Sequence, residues 1–140
     1  SVVLSGVRFR GAFDTFLNCR ASLLRVDVAS LRAKTLFFAT NKSAISQEDK
    51  RALAELARFA KSGPSRKVLV EAHADDRGST KFNQRLSRSR AQAVRAFLLS
   101  QGVSQSQIRI SSHGEAKPYA SNRTEAGRSQ NRRASVSVVN

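Results

Sequence analysis

The chain has 140 residues, 40% of them hydrophobic, which suits one folded domain with a real core. No apolar run approaches the length of a membrane-spanning helix, and no signal peptide is recognisable. Lys and Arg number 25 against 10 acidic residues, a formal charge of +15, so the expected partner is anionic: nucleic acid, an anionic membrane surface or an anionic polymer.

Residues 1–30 are expected to be an appendage before the main domain. Ser1 to Phe9 alternates loosely, and Phe13, Phe16, Leu17, Leu23 and Leu24 are spaced like a short amphipathic helix. Cys19 is the one cysteine, which excludes an internal disulfide and a cysteine-only metal site. No methionine occurs, which leads us to expect a processed chain or a fragment. The main domain is expected over 31–140. Its first strand is Thr35 to Ala39, followed by the polar loop Thr40-Asn41-Lys42-Ser43. Ser46 caps a helix, with Asp49 three residues on, and Leu53, Leu56, Ala57 and Ala60 form its buried stripe. Ser62-Gly63-Pro64-Ser65 ends it.

Val68-Leu69-Val70 reads as a buried strand. Arg77-Gly78-Ser79 is a turn, and Leu86, Ala93, Val94, Phe97 and Leu98 mark a long helix ending near Gln101-Gly102. Ile108 to Ile110 is a third strand, residues 113–118 a loop, Thr124 to Asn131 a short helical turn, and Ala134 to Val139 an alternating last strand. The order is β-α-β-α-β-loop-β. Two strand-helix-strand crossovers imply helices covering one face of a sheet.

Chemistry concentrates between Val68 and Leu99. Asp75 follows the central strand, and Asn83 and Arg90, seven residues apart, lie almost on one helical stripe with Leu86 and Ser87 between them. A carboxylate and a guanidinium converging on one crevice can hold the ammonium and carboxylate of a zwitterionic amino acid. Spacing alone favours an ordinary ion pair between them. His73 near Asp75, and His113 near Glu115, suggest acid–base work or a metal site. The expectation is instead a packed histidine and a turn, and no nucleophile sits in a recognisable motif, so neither an enzyme, a cofactor nor a metal site is expected.

His73-Ala74-Asp75, Gly78, Asn83, Leu86-Ser87, Arg90-Ala91 and Val94 resemble the signature of OmpA-like peptidoglycan-binding domains. Gly114-Glu115, Pro118, Asn122, Thr124, Gly127-Arg128 and Asn131-Arg132-Arg133 resemble its closing part, and Phe37 to Ser43 its first strand and loop. Many fixed positions at the right spacing make the match specific, and it covers residues 34–139. Ala72 and Ala74 stand where glycine and threonine are usual, Ser112 where glycine is frequent, and Ala134 where valine or isoleucine is common. Residues 7–24 also resemble the stretch preceding this domain in MotY-type flagellar stator-ring proteins, although Leu23-Leu24-Arg25-Val26 departs from the usual Leu-Leu-Pro-Tyr.

The resemblance implies an α+β fold, a β-α-β-α-β(-β) two-layer sandwich with helices on one face of a mixed sheet. It implies non-covalent binding of peptidoglycan through the diaminopimelate of the stem peptide. Asp75 would accept the ligand ammonium and Arg90 would clamp its carboxylate. Asn83, Thr40 and Asn41 would supply hydrogen bonds, Leu86 counts among the ligand-binding residues, and Arg132 would add a second cation at the rim. The setting implied is the bacterial periplasm, anchoring an envelope or flagellar motor component to the wall. Flagellar stator or basal-body proteins, or outer-membrane components, are the further partners. A general tether from outer membrane to wall is one alternative. A basic nucleic-acid-binding module is the second, resting on charge alone, with one Tyr, no Trp and no recognition motif. Arg51, Arg58, Lys61, Arg66 and Lys67 are expected to form a solvated face.

Overall fold

The structure, a computed structural model, describes residues 32–140. The expected appendage, including Cys19, lies outside the described residues. Strand β1 spans Ala33–Phe37, helix α1 Gln47–Lys61, β2 Lys67–Ala72, α2 Thr80–Ser100, β3 Ile108–Ser112, α3 Glu125–Asn131 and β4 Arg133–Val139, with a 3₁₀ turn at Gln105–Gln107. The four strands form one mixed sheet in the order β1-β4-β2-β3. Strand β2 runs parallel to β3 and antiparallel to β4, which is also antiparallel to β1. The last strand therefore inserts between the first two, placing Val136 opposite Val70 and Ala134 opposite Leu36.

Local chemistry explains the elements. Ser46 accepts the Asp49 amide at 3.1 Å and starts α1, whose buried residues are the expected Leu53, Leu56, Ala57 and Ala60. Ser79 does the same for α2, accepting the Phe82 amide at 3.0 Å. Strand β4 alternates strictly, burying Ala134, Val136 and Val138 against the helices. These meet Leu36, Val68, Val70 and Ala72 from the other strands and Ala91, Val94 and Leu98 from α2 in one core. No helix among the described residues is long and apolar enough to cross a membrane.

The first strand sits two residues earlier than expected. Phe38 donates its amide to the Arg132 carbonyl and the chain then turns, with Asn41 at φ 60° and the Lys42 amide on Ala39. The basic face is only partly solvated. Arg66 lies over the Phe59 ring at 3.9 Å and donates to the Phe59 carbonyl, while Lys67 reaches the Ser106 carbonyl.

Candidate functional site

The site forms where β2 ends. The loop of residues 73–79 is held from three sides: the His73 amide donates to the Arg133 carbonyl, the Ala74 amide to Gly114, and the Gly114 amide to the Ser87 hydroxyl on α2. Gly114 is at φ +57° and its Cα faces the backbone of Gln84, so a side chain there would be strained as well as crowded.

Asp75 is 5% exposed. Its Oδ1 accepts the Arg77 amide at 3.0 Å, and its Oδ2 accepts from Arg132 Nη1 at 3.1 Å and Arg77 Nη2 at 3.2 Å. Burial alone would raise the carboxyl pKa, but the Arg77 amide and the two guanidinium groups outweigh it and hold Asp75 below the ordinary carboxylate value. Arg132 is buried, not at a rim. It also donates to the Phe38 carbonyl at 2.9 Å and to Glu125 Oε2 at 2.9 Å, so it ties β1, the site loop and α3 together. Arg77 covers Asp75 from the solvent side; its side chain is 44% exposed and reaches the Thr40 hydroxyl at 2.7 Å.

Arg90 is fully buried beneath this cluster. It does not form the ordinary ion pair with Asp75; the ion pairs of Asp75 are to Arg77 and Arg132. The guanidinium instead fans onto three backbone carbonyls, with Nε to Lys42 at 2.9 Å, Nη1 to His73 at 2.9 Å and Nη2 to Ala39 at 3.2 Å. Its carbon sits 5.0 Å from the centre of the Phe38 ring. Burial lowers its pKa to about 10; the nearby Asp75 charge opposes that and Arg132 adds to it, so Arg90 stays charged at neutral pH. Three of its five N–H donors are used and two are left.

Asn83 is buried on the same helix, where Nδ2 donates to Glu115 at 2.8 Å and Oδ1 has no partner. The site loop passes directly over that oxygen: a Cβ at Gly78, whose φ is +89°, would lie 3.9 Å from it and 3.2 Å from the Phe82 ring. Leu86 is half-buried, and Thr40 and Asn41 are exposed in the turn after β1. The fold thus gathers Asp75, Arg132 and Thr40 around Arg77, buries Arg90 underneath, and sets Asn83 under Gly78 of the same loop.

Two organising residues carry no distinctive sequence signal. Arg77 reads only as part of a turn, and Glu125 only as a position inside the expected short helical turn from Thr124 to Asn131. Ser79 was findable, since a serine before a helical pattern is a cap signature. Asn131, fully buried, accepts the Tyr119 and Ala120 amides and donates to the Ala120 carbonyl and Asn122, which shapes the loop before α3. On the open face of the sheet, a cleft of about 490 Å³ is lined by Thr35, Phe37, Tyr119, Gln130, Arg133 and Ser135, and neither Asp75 nor Arg90 borders it. The two histidines also meet on that face. Their rings stack with centroids 4.9 Å apart, and burial, followed by the charges of Arg133, His113 and Lys117, lowers the His73 pKa to about 4.

A model described as the OmpA family matches residues 37–132. The chain belongs to the OmpA family. The match takes in every candidate residue from Thr40 to Arg132. Among curated relatives, the peptidoglycan-associated lipoprotein of Pseudomonas aeruginosa is 39% identical over 111 residues, 79% of this chain and 66% of that protein. The sodium-type flagellar protein MotY of Vibrio parahaemolyticus is 28% identical over 138 residues, 98% of this chain and 47% of that one. This OmpA-family chain therefore spans about half to two thirds of those relatives. The crystal structure of the peptidoglycan-associated lipoprotein from Burkholderia pseudomallei superposes with a TM-score of 0.73 at 32% identity, covering 76% of this chain and 90% of that one. The expected α+β sandwich, helices on one face of a mixed sheet, is the fold observed.

Proposed function

We propose that this domain binds peptidoglycan without cutting it, through the diaminopimelate of the stem peptide, and so anchors an envelope or flagellar motor component to the wall in the periplasm. The observation that carries the reading is Asp75: an ionised, almost buried carboxylate whose solvent side is covered by one partly exposed cation, Arg77. An incoming ammonium takes the place of the Arg77 guanidinium. One cation replaces another, so the buried charge of Asp75 is never left unpaired, and Arg132 stays in place throughout. The orphaned Asn83 Oδ1 accepts an N–H from the same ammonium, answering an acceptor that otherwise has no partner.

The ligand carboxylate meets the positive potential of Arg90, which lies buried beneath the pocket. Releasing Arg77 also frees the Thr40 hydroxyl, and exposed Asn41 lies in the same turn. Leu86 supplies apolar contact to the ligand's methylene chain. Nothing in this scheme forms or breaks a covalent bond, and the positive charge of the whole chain draws the anionic wall polymer from a distance. The reading is tested by pelleting the protein with purified sacculi. Asp75→Asn keeps the shape and removes the charge, and it should stay in the supernatant while remaining folded; pelleting equal to the parent chain overturns the assignment.

A further inference from the structure

We propose that Glu71, His73 and His113 form a binding site for a divalent transition metal ion of the zinc class. The chain contains two histidines, forty residues apart, and the fold brings them together. Glu71 and His73 are two residues apart, so they point to the same, open face of the sheet. Strand β3 runs parallel to β2 with Ser111 opposite Glu71, and the His113 amide donates to the Ala72 carbonyl, which sets His113 beside His73. One donor atom from each of the three side chains lies within 4.8 Å of the other two.

Two unmet needs distinguish this cluster from an ordinary packed pair. His73 is 3% exposed, and its Nδ1 is buried with no hydrogen-bond partner. His113 Nε2 is likewise buried and unpartnered, with the Glu71 carboxylate 3.9 Å away. Buried polar atoms are normally paired, because stripping water from them without replacement is costly. One ion would answer both nitrogens and the carboxylate. Two imidazoles and a carboxylate suit zinc and its borderline neighbours, and fit calcium or magnesium poorly, since those prefer all-oxygen sets.

The geometry needs a small adjustment. Zinc bonds of about 2.0–2.1 Å bring tetrahedral donors to roughly 3.4 Å from one another. A nitrogen lone pair lies in its ring plane, so one ring must leave the stack, in which the planes are now 28° apart. His113 and Glu71 can make that move, because their side chains are 19% and 55% exposed while His73 is fixed. Arg133 and Lys117 bring positive charge near His73 and weaken the site; Glu71 offsets part of it. Three protein donors leave the fourth position for water.

The test is calorimetric titration of zinc chloride into the full chain carrying Cys19→Ser, which removes the one thiol that would compete. About one zinc per chain should bind, the imidazole signals of both histidines should shift in NMR spectra, and calcium chloride should do neither. His113→Ala and Glu71→Gln should each weaken zinc roughly tenfold or more. Glu71 is half-exposed, so its variant reads the site even where the histidine variant folds poorly. Zinc binding no tighter than that of calcium, or unchanged in Glu71→Gln with the histidine signals unmoved, overturns the proposal.

Discussion

Replacing Arg90 with alanine should unfold this domain more readily than any surface change, because Arg90 holds three separate stretches of backbone. Its guanidinium bonds the carbonyls of Ala39, Lys42 and His73, which belong to the turn after β1 and the loop after β2. A hydrogen bond from a charged donor contributes about 1.5–3 kcal/mol, so three amount to roughly 5–9 kcal/mol gross. Keeping the fully buried guanidinium away from water offsets several kcal/mol of that. Ala39 and Lys42 lie in an exposed turn whose carbonyls can regain water, which trims the loss further. The net cost expected is about 3–5 kcal/mol. With a urea slope of about 2 kcal/mol/M for a domain of this size, the unfolding midpoint should fall by about 2 M. Arg90→Lys should recover less than half of it, since an ammonium cannot reach three carbonyls in a plane. Hydrogen exchange in residues 39–46 should quicken first. A loss below about 1 kcal/mol would refute the reasoning, because it would mean that the three carbonyls do not depend on Arg90.

Arg77→Ala should bind sacculi as well as the parent chain or a few-fold better, since it removes the cation that competes for Asp75; loss of pelleting would show Arg77 to be a required contact instead. Asp75 has a folded pKa below its ordinary value, so its contribution to stability is present above the unfolded carboxylate pKa and is lost as pH falls through the folded one. Thermal melts from pH 6 down to pH 2 should therefore show an acid-side decline that flattens in Asp75→Asn; equal slopes in both would contradict the pairing with Arg77 and Arg132. At Gly127 an added Cβ would lie 1.8 Å from the Ser121 carbonyl oxygen, so Gly127→Ala should cost about 3 kcal/mol or more in chemical denaturation, and an unchanged midpoint would contradict that close approach.

What the sequence disclosed was local. The stripe Leu53, Leu56, Ala57 and Ala60, the Ser46 cap and the alternation of Ala134, Val136 and Val138 follow from periods and caps written within a few residues of each other. The insertion of β4 between β1 and β2 was not legible, because strand order depends on pairings between distant segments. The site divides the same way. Resemblance points to Asp75, Asn83, Arg90 and Arg132, yet Asp75 pairs with Arg132, 57 residues away, and not in the ordinary ion pair with Arg90 that spacing alone favours. Side chains that bond backbone carbonyls leave no spacing pattern at all. Gln107 is another example: its Nε2 reaches the carbonyls of Ala60, Gly63 and Arg66 and closes the end of α1 onto β2. The two histidines carry no pairing signal either, since forty residues separate them and only the parallel β2–β3 register brings them together.

The central claim is that Asp75 exchanges Arg77 for the ammonium of a wall amino acid. Calorimetric titration of a soluble stem peptide containing diaminopimelate, against the same peptide with lysine in its place, tests it most directly. We expect binding of the diaminopimelate peptide, markedly weaker binding of the lysine peptide because it lacks the second carboxylate, and no binding of either by a folded Asp75→Asn variant. Equal affinity of the parent chain and that variant for the diaminopimelate peptide would contradict the account.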